Sequence, residues 1–186
     1  STSTGSTPAS ITIQPWSPDT PYLRLIQGAQ EDQAYLVYLQ QRQNYVTSPS
    51  FFLDCGDYFL KHDLPVYGLR ILSNLLEQGL DDAALMRIYG WRLQQAGYLE
   101  QAVEIFERVL TQRKDEPQSY RDLALALSER WERSGHPADV IRAMELLYAV
   151  ILKEWDRFPE IEIIALMELN LLILLAKTHA ISIPEA

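Results

Sequence analysis

Two arginines set the first chemical question. Arg87 and Arg121 stand 34 residues apart, and each carries a planar guanidinium able to grip a carboxylate through paired N–H donors. Trp91 follows Arg87 by four residues, Leu125 follows Arg121 by four, and Asp57 is the equivalent residue 34 earlier. Gln94 lies one turn beyond Trp91. On helices, these positions build a mixed aromatic and basic strip suited to an extended chain with an acidic group or a free carboxylate. The competing expectation is internal. Arg87 then pairs with Asp54 or Asp122, and Trp91 fills space between neighbouring helices.

Nothing else in the sequence converges on chemistry. His62, His136 and His179 are isolated, with no second histidine at helical spacing and no metal-ligand pattern. Cys55, the one cysteine, falls between Phe52 and Phe59 and reads as a buried, inert thiol. It has no partner for a disulfide. A nucleophile elbow and a phosphate loop are both missing. We therefore expect no enzyme activity, no metal and no cofactor. The net charge of -9, with no basic run, argues against nucleic acid and against an anionic membrane surface. The most apolar run, 169–176, contains Asn170 and is far shorter than the ~20 residues a membrane span requires.

The elements that position these residues follow a period of 34. Phe52, Met86 and Tyr120 form one column; Gly56, Gly90 and Ala124 form a small-residue column; Phe59, Leu93 and Leu127 form a third. They fall at i, i+4 and i+7, one face of a helix. A second helix repeats as Gly68/Ala102, Leu72/Phe106 and Leu75/Val109. Backward extension by 34 reaches Ala34 and Tyr38. Forward extension needs seven extra residues, expected between helices within 128–137, and then reaches Ala143, Leu147 and Val150. The next first helix begins its pattern at Ile161, with Ala165 at the small position. Short helix pairs cannot bury their apolar faces alone, and stacking at a fixed pitch closes the core.

Turn and capping residues give boundaries. Thr20-Pro21, Ser48-Pro49, Glu116-Pro117 and Phe158-Pro159 place proline at helix starts, and Asp81 or Asp82 caps another. The expected helices are 21–45, 49–62, 65–78, 82–96, 99–113, 117–133, 137–155 and 159–178, with Gly28 able to bend or split the first. Tyr35, Tyr38 and Tyr45 have core spacing. Residues 1–20 read as a flexible linker, 21–178 as a single helical domain, and 179–186 as a linker to a further domain. Ile11–Ile13 and Ile181–Ile183 alternate and are candidate short strands.

Met86, Tyr89-Gly90, Leu93, Gly97, Ala102, Phe106 and Pro117 resemble a tetratricopeptide (TPR) repeat, with the closing proline a few residues late and Asp63 where the preceding repeat usually has its turn glycine. That resemblance implies an all-α, right-handed solenoid of about three and a half helix pairs plus an N-terminal helix. It also implies that Asp57, Arg87, Trp91, Gln94, Arg121 and Leu125 line a concave, partner-binding face. Three strings, Ser48-Pro49-Ser50-Phe51-Phe52-Leu53-Asp54, the 69–75 segment and the 116–127 segment, together with 155–170, are similar to a helical segment of bacterial multidomain proteins. In those, an inter-alpha-trypsin-type domain, often with a von Willebrand A domain, precedes the segment and a β-rich domain follows. This likeness covers roughly residues 15–178 and implies a helical spacer in an exported protein of the periplasm. It transfers no catalytic residue.

The last helix is a second candidate surface. Eleven large apolar residues from Ile161 to Leu175 surround it, whereas a terminal repeat helix should be polar outside. Leu171, Leu172, Leu174 and Leu175 are the expected contacts with another domain or a second copy of the chain. The functional expectation is a protein-interaction module. The alternative is a passive spacer between flanking domains, and an enzyme with an unseen site is the third reading.

Overall fold

A computed structural model describes residues 19–78, 82–155 and 157–179. The candidate strands at 11–13 and 181–183 and most of both expected linkers lie outside them. Among the described residues every regular element is helical: α1 (Pro21–Gln27), α2 (Glu31–Arg42), α3 (Pro49–Lys61), α4 (Pro65–Leu72), α5 (Asn74–Gln78), α6 (Ala83–Gln95), α7 (Leu99–Gln112), α8 (Pro117–Ser134), α9 (Pro137–Leu152) and α10 (Ile161–Thr178). The chain divides into two compact units, one ending at Val46 and the other beginning at Thr47.

The first unit is a short helical hairpin. The expected single helix splits at Gly28, with the break at 28–30 separating α1 from α2. The Tyr22 and Tyr45 rings meet edge to face at 4.9 Å, and Tyr35 stacks on Tyr38 at 5.5 Å. Ala34 and Tyr38, reached by extending the period backward, are both buried.

The second unit is an all-α, TPR-like stack. Three hairpins, α3 with α4–α5, α6 with α7, and α8 with α9, are followed by the single helix α10. The columns of the repeat are its core: Phe52, Met86, Phe59, Leu93, Leu127, Leu72, Phe106, Val109, Leu147 and Val150 are all buried. The small column sets how closely helices approach. A Cβ on Gly68 would lie 2.7 Å from Leu60 Cγ and 3.0 Å from the Gly56 carbonyl oxygen, so α3 and α4 touch almost backbone to backbone.

Helix ends follow local chemistry. Ser48 Oγ accepts from the Phe51 amide at 3.4 Å, and of the two expected caps Asp82 serves α6 through the Ala84 and Leu85 amides, Asp81 lying outside the described residues. The helix expected over 65–78 breaks at Ser73. There Ser73 Oγ donates to the Arg70 carbonyl, and the Asn74 side chain donates to those of Arg70 and Ile71, competing with the helical ladder. The seven extra residues do not form a loop. They lengthen the helices, with α8 running to Ser134 where α6 stops at Gln95. The left-handed Gly135, φ 74°, then turns the chain. Helix α9 ends at Leu152, short of 155, where the Trp155 indole N–H takes the Val150 carbonyl. Helix α10 starts two residues late, because Glu160 adopts a left-handed φ of 66° and Pro159 stays outside the helix.

Candidate interaction surface

The first helices of the stack, α3, α6, α8 and α10, carry the residues singled out above. Each is brought against the next, Asp57 and Arg92 lying 35 residues apart across α3 and α6 but Arg121 and Glu168 47 apart across α8 and α10. Arg87 on α6 faces α8. Its terminal nitrogen donates to Glu116 at 2.8 Å and to Ser119 Oγ at 2.9 Å, and its Nε lies 3.0 Å from Asp122 Oδ2. Trp91, one turn on, donates its indole N–H to Asp122 Oδ1 at 3.2 Å, and Gln118 donates to the same oxygen. Asp122 is 3% exposed and is the hub of this network. Burial pushes its carboxyl above the ordinary carboxylate range, against the opposing pull of Gln118, Trp91 and the two arginines.

Arg121 repeats the arrangement one step along. Its guanidinium forms a two-pronged pair with Glu168 of α10 and also donates to Gln118. The hydrogen bond to Glu168 holds the guanidinium even further up than usual. This pair draws the Glu168 side chain in, to 20% exposure. At the other end of the row, Asp57 of α3 pairs with Arg92 of α6 at 2.7 and 2.8 Å. It lines a cavity of about 310 Å³ with Leu60, Lys61, Asp63 and Pro65, apart from Arg87 and Arg121.

The two arginines are therefore not open donors. Their side chains are only 15% and 14% exposed, and each reaches carboxylates of this chain. Of the internal partners expected for Arg87, Asp122 is found. The most exposed members of the strip are apolar: Trp91 at 40% and Leu125 at 41% exposure.

Leu125 and Gln94 meet residues that the sequence assigns to a separate surface. A groove of about 320 Å³ between α8 and α10 is lined by Leu125, Leu171, Leu172 and Leu175 together with the polar Gln94, Glu129, Glu132 and Glu168. Gln94 donates to Glu129 at 3.0 Å, fixing the rim on the α6 side. Two sets of candidates thus join in one groove. Leu174 does not line it and points outward, 60% exposed. Sequence reasoning missed Glu129 and Glu132. Their distance from Leu171 along the chain, across the lengthened α8–α9 hairpin, hides the contact.

The groups considered for catalysis sit in structural places. His62 caps the C-terminus of α3 with Nδ1 2.7 Å from the Tyr58 carbonyl oxygen, His136 is the N-cap of α9, and His179 ends α10 against the Trp131 ring. Cys55 is fully buried, and desolvation, reinforced by Asp54, drives its thiol far above the ordinary range. Arg130 and Asp139 form a two-pronged pair at 2.7 Å that ties α8 to α9. No periodicity of the sequence signals it.

No family model matches the chain, and no curated protein does. Among solved structures it is similar to the crystal structure of MamA, at 13% identity over 80% of this chain and 90% of that chain, with a TM-score of 0.42.

Proposed function

We propose that this chain is a protein-interaction module that takes a protein segment into the groove between α8 and α10. One observation carries the reading. Three successive first helices line one groove: Leu125 of α8 and the α10 leucines give it apolar surface, and Gln94 of α6 joins the carboxylates of Glu129, Glu132 and Glu168 around it. An apolar centre with a polar rim is the anatomy of a binding surface. Arg133 offsets Glu129, and Arg121 offsets Glu168, while Glu132 beside them has no such cation among the described residues. The fitting partner is a segment with apolar anchors and a basic flank. An acidic partner, or a free carboxylate gripped by Arg87 and Arg121, would have to displace Glu116, Asp122 and Glu168 from those arginines. By resemblance, the module works as a scaffold within a larger exported bacterial protein in the periplasm. Among the described residues no helix is long and apolar enough to cross a membrane.

Selection from a displayed peptide library against the immobilised chain tests the reading. Peptides joining apolar and basic residues should be enriched, and Leu125→Glu should abolish their capture with the melting temperature unchanged. Enrichment of acidic peptides, lost in Arg87→Ala with Arg121→Ala, supports the arginine strip instead. No enrichment leaves the passive spacer.

A further inference from the structure

Helix α10 has a second apolar side that the groove does not use. Ala165, Leu169, Leu172 and Ala176 face inward and are buried, while Ile164, Met167, Leu171 and Leu174 are 44%, 68%, 59% and 60% exposed. Their spacing of three and four residues is the a/d seam of a heptad pattern, running about 15 Å along the helix. Leu171 borders both surfaces, but Ile164, Met167 and Leu174 do not line the groove.

We propose that this seam pairs with the same seam of a second copy, the two α10 helices running antiparallel. The register is self-complementary. Around a twofold axis near Leu169, Ile164 meets Leu174 of the second copy and Met167 meets Leu171, so every layer is apolar against apolar. Along one flank run Ile163, Asn170 and Lys177, all exposed. In this register the two Asn170 amides approach each other beside the axis, where a paired polar residue fixes orientation. Charge agrees with self-pairing. On the other flank Glu168 is already neutralised by Arg121. The two Lys177 ammonium groups end up on the order of 20 Å apart, each stem lying over Ile163 of the other copy. With Ile163 included, the exposed apolar face is on the order of 600 Å² per copy, approaching the ~800 Å² that a stable interface covers on each partner. A partner bearing charge on its contacting face would find no counter-charge along the seam.

Light scattering over a wide concentration range tests the pairing. The expected mass at high concentration is twice 21.4 kDa, falling to the single-chain mass on dilution. Met167→Glu with Leu174→Glu should give the single-chain mass at every concentration with an unchanged helical spectrum. Orientation is read by mixing Ile163→Cys and Lys177→Cys chains under mild oxidation. The native Cys55 is buried and stays silent. Cross-links between the two variants are expected. A single-chain mass throughout, a dimer that survives the double variant, or cross-links forming only between like variants would each overturn the proposal.

Discussion

The first and third hairpins of the 47–186 unit occupy the same columns of the repeat with different residues, and they are held by different forces. In the first, Gly56 and Gly68 let α3 and α4 close until the carbonyl oxygen of each is within reach of the other's absent Cβ. In the third, Ala124 and Ala143 keep that space filled, and α8 is instead tied to its neighbours by charge: to α6 through Asp122, to α9 through Arg130–Asp139 and to α10 through Arg121–Glu168. A single periodic pattern thus tolerates two solutions, backbone proximity at one end and buried ion pairs at the other. The second solution ties up the arginines that would otherwise face a ligand.

The sharpest way to break this comparison is to remove the hub. Asp122→Ala leaves the Trp91 indole without its acceptor and the largely buried Arg87 with Glu116 as its one carboxylate. We expect a loss of about 3 kcal/mol by chemical denaturation, within the range for breaking a buried pair. Asp57→Ala in the first hairpin should lose under about 1 kcal/mol, since its pair with Arg92 is more open to water. Equal losses at the two sites would erase the distinction. If the arginine strip served a ligand and not the fold, Asp122→Ala would leave stability untouched.

The reverse asymmetry belongs to the small column. Gly56→Ala places a methyl 2.6 Å from Leu72 Cδ2, and Leu72 is itself fully buried. Overpacking should outweigh the better helix propensity of alanine and cost about 2 kcal/mol. Ala124→Gly in the third hairpin meets no such clash and should cost about 1 kcal/mol, chiefly backbone freedom. Thermal melts of both variants separate packing from propensity.

Acid titration sharpens the electrostatic half. Burial raises the Asp122 carboxyl, and that of Asp57, above the ordinary value of 3.8. The folded chain therefore binds these protons more readily than the unfolded one. This contribution to stability is present below the ordinary value and is lost as pH rises through the raised value. Asp122→Asn should flatten the slope of unfolding free energy against pH in that window, by at most about 1.4 kcal/mol per pH unit. An unchanged slope would mean that Arg87 fully compensates the burial.

Much of this architecture is legible in the sequence, for a physical reason. Side-chain size at a fixed period is dictated by how neighbouring helices nest, so Gly56, Gly90, Phe106 and Val109 announce the stack in any single reading of the chain. Ion pairs have no such signature. Arg87 and Arg121 share a column, but whether they meet solvent or a carboxylate depends on Asp122 and Glu168, one helix away. The lengthening of the third hairpin also puts Glu168 47 residues from Arg121, where Arg92 finds Asp57 at 35, so the period of 34 does not point to the pair. The groove divides in two along the sequence for the same reason: Leu125 and Leu171 are neighbours only after α9 has folded between them.

The mildest prediction concerns the turns that separate the hairpins' two helices. Asp63 holds a left-handed φ of 58° at the turn after α3, where Gly97 and Gly135 hold 82° and 74° after α6 and α8. A side chain in that region costs roughly 1–2 kcal/mol, somewhat less for aspartate. Asp63→Gly should therefore raise stability by about 1 kcal/mol, although glycine loosens the unfolded chain. Gly135→Asp should lose a similar amount, since nothing lies within 4 Å of its missing Cβ and only the backbone conformation can object. Gly97 is a poorer control, because a Cβ there would meet the Arg133 guanidinium at 2.9 Å. If Asp63→Gly destabilises the chain instead, the Asp63 side chain supports the cavity beside Asp57, and the first hairpin would join the third as a region held by charge.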